Sequence, residues 1–132
     1  MELATQLNIS MPNLPGSLAK VCDKLRAADV NIEAVYCNEG TPETSIHLIV
    51  DDLETAKIVL GEMGKVTATS VLSFTMKNRP GGLAYVARMC AGAGINIRYV
   101  YSTTHGKEAT VFIGVDDVEK AVEHFKNLTV KI

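Results

Sequence analysis

The sequence predicts an α+β protein built from two copies of one module. The first observation is an internal repeat at a constant offset of 65 residues, with 19 identities in 61 positions when residues 6–66 are aligned with 71–131. Chance at background amino-acid frequencies would give roughly three or four identities. The second observation is that strand-like and helix-like apolar patterns follow one another in the same order in both copies. We therefore expect one module in residues 1–68 and another in 69–132.

Each copy has the pattern strand-helix-strand-strand-helix-strand. The elements predicted for the first copy are a strand at 5–11, a helix that begins at Pro15, hairpin strands at 31–38 and 44–50, a helix that begins after Asp51, and a short strand at 66–69. In the second copy the hairpin strands are predicted at 96–103 and 109–115, and the last strand at 129–132. This order is the split ferredoxin-like plan, an antiparallel sheet with both helices on one face. Because residues 65–77 contain no turn signal, the last strand of copy one should run directly into the first strand of copy two.

Apolar spacing predicts which faces of these elements are buried. The helical stripes are Leu18, Val21, Cys22, Leu25 and Ala28; Leu53, Ala56, Leu60 and Met63; Leu83, Val86, Ala87, Cys90 and Ala93; and Val118, Ala121, Phe125 and Leu128. Strict alternation along the strands directs four apolar residues away from the helices, namely Val35, Ile49, Val100 and Phe112. An apolar open face on a small domain is usually covered, so we expect it to contact another sheet or subunit.

Composition argues against several classes of function. A net charge of −2 and a pI of about 5.9 give no electrostatic signature of binding to nucleic acid or to an anionic membrane. RNA-recognition modules share this strand and helix order, but here the open face offers Phe112 without the motif of stacked aromatic residues and basic flanks that binds RNA bases. No apolar stretch approaches the roughly 20 residues that span a bilayer, and the start lacks a signal-peptide pattern. We expect a cytoplasmic protein.

The segment before the first helix of each copy is the strongest candidate for a binding site. It reads Asn13-Leu14-Pro15-Gly16-Ser17 in the first copy and Asn78-Arg79-Pro80-Gly81-Gly82 in the second. Pro is favoured at the first helical position, and Gly leaves the backbone N–H groups of a helix start open to a carboxylate or phosphate. The amide of Asn13 or Asn78 could hold a zwitterion, since it both donates and accepts, or it could simply cap the helix. Both roles are open at this point.

These motifs resemble the ACT domain, and the resemblance covers nearly the whole chain twice. In each copy an Asn-Ile pair follows the loop glycine after 15 residues, as Asn31-Ile32 and as Asn96-Ile97, and we expect it near the same sheet edge as the loop. ACT domains are ferredoxin-like regulatory modules that bind amino acids, usually at interfaces between two such domains. The resemblance implies effector contacts at Asn13, Gly16 and Asn31, and at Asn78, Gly81 and Asn96. The residues beside them would complete the sites, namely Leu14, Pro15, Ser17, Ile32, Arg79, Pro80, Gly82 and Ile97.

The two predicted sites differ in charge. The differing pairs are Leu14 and Arg79, Ser17 and Gly82, and Glu33 and Arg98. A cation near the site could favour a ligand carboxylate, and a glutamate could favour an amine; the same side chains could also be solvated surface. We expect the two sites to be unequal.

No catalytic, metal-binding or cofactor-binding set is predicted. The carboxylates at Asp51, Asp52 and Glu54, repeated at Asp116, Asp117 and Glu119, stand where a helix begins and match a capping pattern. His47, His105 and His124 are not repeated, and His47 is expected to be an interface residue on the open face. Cys22 and Cys90 alternate with Ala87 and Leu25 between the copies, so both are expected to be small core residues.

The sequence thus predicts a regulatory protein and not an enzyme. Its effector would be a free amino acid, it would form a homodimer through ACT–ACT contacts, and it would signal to a partner enzyme or regulator in trans. One alternative is a detached regulatory subunit of an amino-acid biosynthetic enzyme, like those of acetolactate synthases. The other is a purely structural oligomerisation module.

Overall fold

The structure, a computed structural model, describes residues 1–38 and 40–126 of the 132. These residues form six strands and four helices. In chain order the elements are β1 (Glu2–Pro12), α1 (Ser17–Ala27), β2 (Ile32–Asn38), β3 (Glu43–Val50), α2 (Leu53–Gly61), β4 (Val66–Lys77), α3 (Gly82–Gly92), β5 (Ile97–His105), β6 (Glu108–Val115) and α4 (Val118–Phe125). Predicted strand 129–132 and predicted core residue Leu128 lie outside the described residues. None of the described helices is long and apolar enough to cross a membrane.

The chain divides into two compact units that do not follow the chain order strictly. The first unit is Thr5–Thr69, and the second combines Met1–Ala4 with the chain from Ser70 onward. β1 and β4 therefore each contribute residues to both units. β4 runs without a break from Val66 to Lys77, which confirms that the last strand of copy one continues into the first strand of copy two.

Both units have the predicted ferredoxin-like sheet. In the first unit β3 lies between β2 and β1, with Pro12 opposite Glu43 at one end and Ile32 opposite Val50 at the other. In the second unit β6 lies between β5 and β4 in the same antiparallel arrangement, with Lys77 opposite Glu108. Since β1 and β2 both run antiparallel to β3, they are parallel to each other, as the strand-helix-strand crossover through α1 requires.

Each unit has its own core on the helix-covered face of its sheet. In the first unit the central helix residues are Val21 and Leu25 of α1 with Ala56 and Leu60 of α2, all fully buried. In the second unit they are Val86 and Cys90 of α3 with Ala121 and Phe125 of α4. The alternation of strand and helix faces thus places two helices over one face in each unit.

Four positions of the predicted helical stripes are not in the core. Leu18 and Leu83 are 43% and 46% exposed. The equivalent residues Cys22 and Ala87 are only half-buried and lie outside the core clusters. The reason is the rotational position of these residues around the helix axis. The buried side of α1 carries Ser17, Val21 and Leu25, and the residue that follows each of them is rotated by about 100° around the axis. The prediction of a core cysteine is confirmed for Cys90 and wrong for Cys22.

A β-bulge reverses the predicted orientation of two valines. The register shifts after Ile32 in β2 and after Ile97 in β5, so that Val35 pairs with Leu48 and Val100 pairs with Ile113. Directly opposed residues face the same way, and both partners are core residues on the helix side. Val35 and Val100 therefore face the helices, contrary to the prediction, because the bulge inserts an extra residue into the alternation.

The other two predicted open-face residues, Ile49 and Phe112, are confirmed on the face away from the helices. Each follows the alternation from a core neighbour on β3 or β6, and each is buried without joining the core clusters. Contact of this face with another subunit remains a prediction.

On the open face of each unit, one cross-strand pair combines a large residue with a small one. The two units place the large residue on opposite strands of this pair. Tyr99 lies opposite Gly114 in the second unit, whereas the equivalent pair in the first unit is Ala34 opposite Ile49. A Cβ atom built on Gly114 would clash with the ring of Tyr99. The aromatic ring therefore occupies the volume that a side chain at position 114 would need.

We expect Gly114→Ile and Tyr99→Ala each to destabilise the second unit by about 2 kcal/mol or more, by overpacking in one case and by loss of ring contacts in the other. The double variant restores the Ala-Ile pair of the first unit and should recover more than half of the summed loss. Urea unfolding of all four proteins measures the coupling. Strictly additive losses would contradict the close packing of this pair.

Candidate functional site

The loop before each first helix is shaped by a left-handed glycine. Gly16 has φ +91° and Gly81 has φ +94°, a conformation that side-chain-bearing residues rarely adopt. Each glycine is the N-cap residue, and the helices begin one residue later, at Ser17 and Gly82. Pro15 and Pro80 therefore precede the N-cap, and the prediction that the helices begin at proline is wrong. The left-handed glycine lies between the proline and the first helical residue, so the proline is outside the helix.

The asparagine of each loop binds the neighbouring hairpin and does not cap the helix. The Asn13 side chain donates to the carbonyl of Gly40 at 2.6 Å, and its backbone N–H donates to the carbonyl of Pro42 at 2.8 Å. Asn78 makes the matching contacts to Gly106 at 3.4 Å and to Lys107 at 2.8 Å. Neither α1 nor α3 has a side-chain cap hydrogen bond, so the capping alternative is wrong.

Two backbone N–H groups are left available at each helix start. At α1 the N–H of Ser17 donates to Leu14 at 3.3 Å, and the ladder resumes with Lys20 donating to Gly16 at 3.0 Å. Among the described residues no acceptor takes the intervening N–H groups of Leu18 and Ala19. The start of α3 is the same, with Leu83 and Ala84 in these positions. Such groups, together with the positive end of the helix dipole, form a site that can accept a carboxylate.

The Ser17 and Gly82 difference has a local explanation. The Ser17 hydroxyl donates to the carbonyl of Pro12 at 2.5 Å, while a Cβ atom on Gly82 would lie 3.0 Å from the sulfur of Met76. Both residues are buried. The residue at this position therefore fits the loop against the preceding strand, which is β1 in the first copy and β4 in the second.

The start of the second strand is held by an aspartate in both units. The backbone N–H of Asn31 donates to the Asp51 carboxylate at 2.9 Å, and the N–H of Asp51 donates back to the Asn31 carbonyl at 3.1 Å. Asn96 and Asp116 repeat this exchange at 3.0 and 3.1 Å. The sequence reasoning missed this role of the first aspartate, although its repetition in both copies was the signal.

The second aspartate of each pair caps a helix, as predicted. Asp52 accepts from the N–H and hydroxyl of Thr55 at 3.1 and 2.7 Å, and these bonds lower the pKa of its carboxyl group. Asp117 accepts from the N–H of Lys120 at 2.9 Å. Within the described part of the chain, no group of three or more His, Cys, Asp or Glu residues could hold a metal ion.

The predicted asparagines lie at opposite ends of each unit. Asn13 follows Pro12, which pairs with Glu43, while Asn31 precedes Ile32, which pairs with Val50. The eight-residue strand β3 therefore separates them by roughly 24 Å. The expectation of a shared sheet edge is wrong within one unit, because α1 carries the chain back to the opposite end before a parallel strand begins. Asn78 and Asn96 likewise lie at opposite ends of the second unit.

Two cavities are lined in part by predicted site residues, four of them in all. One, of about 510 Å³, lies at the end of α1 and is lined by Cys22, Arg26, Asp29, Val30, Asn31, Ile32 and Asp51. The other, of about 460 Å³, lies beside the second loop and is lined by Met76, Lys77, Asn78, Arg79, Lys107 and Glu108. Both are large enough for a small organic ligand. The structure thus brings Asn31 with Ile32, and Asn78 with Arg79, to the walls of separate cavities.

A polar network centred on His47 covers part of the open face of the first unit. The Nδ1 atom of His47 lies 2.6 Å from the Asn8 side-chain oxygen, its Nε2 atom lies 3.3 Å from the Asn38 amide, and its ring stacks on Tyr36 at a centroid distance of 4.4 Å. Burial lowers the pKa of His47. The prediction that His47 lies on the open face is confirmed, and its interface role remains a prediction.

The fold and the repeated loop define a tandem of ferredoxin-like modules. A family model described as an ACT domain pair matches residues 2–130. The chain therefore belongs to the ACT-domain family, as the sequence motifs indicated.

Solved structures extend this comparison. Protein BT0572 from Bacteroides thetaiotaomicron is 29% identical with a TM-score of 0.89, over 98% of this chain and 90% of that one. The ligand-free regulatory subunit of aspartate kinase from Thermus thermophilus is 19% identical with a TM-score of 0.63, over 98% and 99% of the two chains. The aspartokinase alpha and beta subunit structure gives 18% identity and a TM-score of 0.59, over 96% and 98%. The last two likenesses show the fold alone. Comparison with curated proteins finds no match.

The hairpin contact of Asn13 predicts that Asn13→Asp destabilises the first unit by about 1 kcal/mol, since a carboxylate cannot donate to the Gly40 carbonyl. Asp52→Asn is the matched control, because Asp and Asn are equally good helix caps and the Asp52 side chain does cap. Urea unfolding measures both. If Asn13→Asp left the free energy of unfolding unchanged and Asp52→Asn lowered it, the assignment of Asn13 to the hairpin contact and of Asp52 to the helix cap would be contradicted.

The depressed pKa of His47 predicts a loss of stability in mild acid. Because the unfolded chain binds the His47 proton more readily than the folded one, the contribution is complete above the ordinary pKa of 6.5 and is lost as pH falls through the folded pKa. The free energy of unfolding should therefore fall more between pH 7.5 and pH 5 in the unmodified protein than in His47→Gln. Equal falls would show that His47 is not the group responsible.

Proposed function

We propose that this ACT-domain pair is a regulatory protein that binds a free amino acid at its loops and signals to a partner enzyme or regulator. The observation that carries the proposal is the uncapped helix start behind a left-handed glycine, present in both copies. An amino acid's α-carboxylate would accept from the N–H groups of Leu18 and Ala19, or of Leu83 and Ala84. Its ammonium would donate to the side-chain oxygen of Asn13 or Asn78, whose amide nitrogen is engaged by the hairpin.

A site that also uses Asn31 or Asn96 needs two modules. The amine and carboxylate of an amino acid share one Cα and lie within roughly 3 Å of each other, far less than the length of β3. The strand-start asparagine would therefore come from a different module than the loop, and we propose that a second copy of the chain in a homodimer supplies it. The exposed side chains of Leu18 and Val35, at 43% and 44%, give such a contact apolar surface to bury.

Ligand bound between modules would stabilise their association. The stabilising free energy grows with the logarithm of the ratio of ligand concentration to dissociation constant. A ligand concentration of one hundred times the dissociation constant contributes about 2.7 kcal/mol. A change in association of this size can be passed to a partner enzyme held in trans, in a cytoplasmic setting. The structurally similar aspartate kinase chain is a regulatory subunit, which fits this mode of action.

Two alternatives share the fold. A detached subunit of one biosynthetic enzyme, of the acetolactate synthase kind, would co-purify with a larger catalytic chain. A purely structural oligomerisation module would associate identically with and without any amino acid. We propose no catalytic role.

A thermal-shift screen of the twenty amino acids tests the proposal directly. We expect at least one at millimolar concentration to raise Tm by several degrees, with a matching shift towards dimer in size-exclusion chromatography. No shift with any of the twenty would contradict it, and a shift in Tm without any change in association would contradict the two-module site.

Substitution of the loop glycines localises the ligand. Gly16→Asp and Gly81→Asp place a negative charge where the ligand carboxylate would lie, and we expect each to weaken binding at its own loop at least tenfold. Gly16→Asn and Gly81→Asn are matched controls: a Cβ meets no atom within 4 Å at either position, and Asn tolerates positive φ at a cost of about 1 kcal/mol. Calorimetric titration gives the affinities. If the Asp variants folded and bound as tightly as the Asn variants, the loop assignment would be wrong.

A further inference from the structure

The cavity beside the second loop has a charge pattern that the first copy lacks. Of its six lining residues, three are cations and one is a carboxylate, namely Lys77, Arg79, Lys107 and Glu108. The equivalent residues of the first copy are, in the same order, Pro12, Leu14, Pro42 and Glu43. The lining therefore carries a net charge of +2 in the second copy, against −1 at the equivalent positions of the first.

The described residues offset the three cations only in part. No ion pair in the described part of the chain includes Lys77, Arg79 or Lys107. Glu108 lies opposite Lys77 in the strand register and can offset one of the charges. Two positive charges in excess around one cavity repel each other, and an anion that enters the cavity removes this repulsion.

The loop geometry sets the cations beside the helix start. The backbone N–H of Asn78 donates to the carbonyl of Lys107 at 2.8 Å, which fixes the hairpin turn against the loop. Arg79 is two residues before the N-cap glycine, and the open N–H groups of Leu83 and Ala84 follow. The helix start is not among the residues that line the cavity, so a ligand that contacts both would extend from the cavity past Arg79 to these N–H groups.

We propose that the second loop recognises an acidic amino acid, with its α-carboxylate at the helix start and its side-chain carboxylate at Arg79 and Lys107. The inference rests on the proposed function and narrows it to a ligand class for one of the two loops. A guanidinium can hold a carboxylate through two parallel hydrogen bonds, which favours Arg79 as the main contact. The first loop, with Leu14 in place of Arg79, lacks this preference.

Isosteric pairs of amino acids test the ligand class. Calorimetric titrations would compare L-aspartate with L-asparagine and L-glutamate with L-glutamine, using succinate as a probe without an amine. We expect one acidic member to bind at least tenfold more tightly than its amide. Arg79→Leu installs the residue of the first copy and should reduce this ratio at least fivefold. Arg88→Leu, an exposed residue of α3 that does not line the cavity, is the matched control and should leave the ratio unchanged.

The outcomes separate this inference from the proposed function. Amides that bind as tightly as their acids, or equal ratios in Arg79→Leu and Arg88→Leu, would overturn the inference while amino-acid binding stands. Binding of succinate that depends on Arg79, with no binding of any amino acid, would support the anion site and contradict the proposed function. Failure of succinate and of all four amino acids to bind would overturn the inference, while the proposed function would still be decided by the screen of the twenty amino acids.

Discussion

The left-handed glycine at the end of each Asn-x-Pro-Gly loop is the constraint on which the candidate site depends. At φ near +90° the chain turns into the helix without a side-chain cap, and the asparagine three residues earlier is free to bind the hairpin instead. As a result, two N–H groups at the helix start have no acceptor among the residues that the structure describes. A residue with a side chain would lose about 1 kcal/mol or more in this conformation. The same geometry in both units indicates that the open helix start belongs to the module and is not an accident of one copy.

The strand register imposes a second constraint. In a strand-helix-strand crossover the loop before the helix and the start of the next strand lie at opposite ends of the sheet, so Asn13 and Asn31 are separated by the whole of β3. Each of these ends is fixed by its own hydrogen bonds, to the hairpin for Asn13 and to Asp51 for Asn31. In the proposed mode of binding, a single module therefore presents two half-sites. This is the physical reason why we link amino-acid binding to association of modules.

Much of the fold could be predicted from the sequence because its signals are local and occur twice. The continuous strand β4 follows from the absence of turn residues between Lys65 and Lys77, and the helix caps follow from Asp52 and Asp117. The orientation of Val35 could not be predicted, since the bulge after Ile32 depends on pairing with β3 and has no signature in β2 itself. The exposure of Leu18 could not be predicted, because apolar spacing alone does not decide which of two adjacent helix positions faces the core.

The sequence could nominate residues for the candidate site but could not predict their geometry. The asparagine of the loop could equally have capped the helix, because the choice depends on where the hairpin carbonyls lie, far away in sequence. The separation of Asn13 and Asn31 follows from strand direction, which the predicted order already contained but which only the register made evident. The charge difference at Arg79 and Leu14 was visible in the sequence, whereas its link to Lys77 and Lys107 in one cavity was not.

Backbone amide NMR during an amino-acid titration is the decisive measurement for ligand binding at the loops, because it observes the proposed contact atoms themselves. We expect saturable shifts, with one dissociation constant per site, at the amides of Leu18 and Ala19 or of Leu83 and Ala84. The amide of the adjacent loop glycine should shift with them. Saturable shifts confined to other parts of the chain, or no shift at millimolar concentrations of any amino acid, would contradict it.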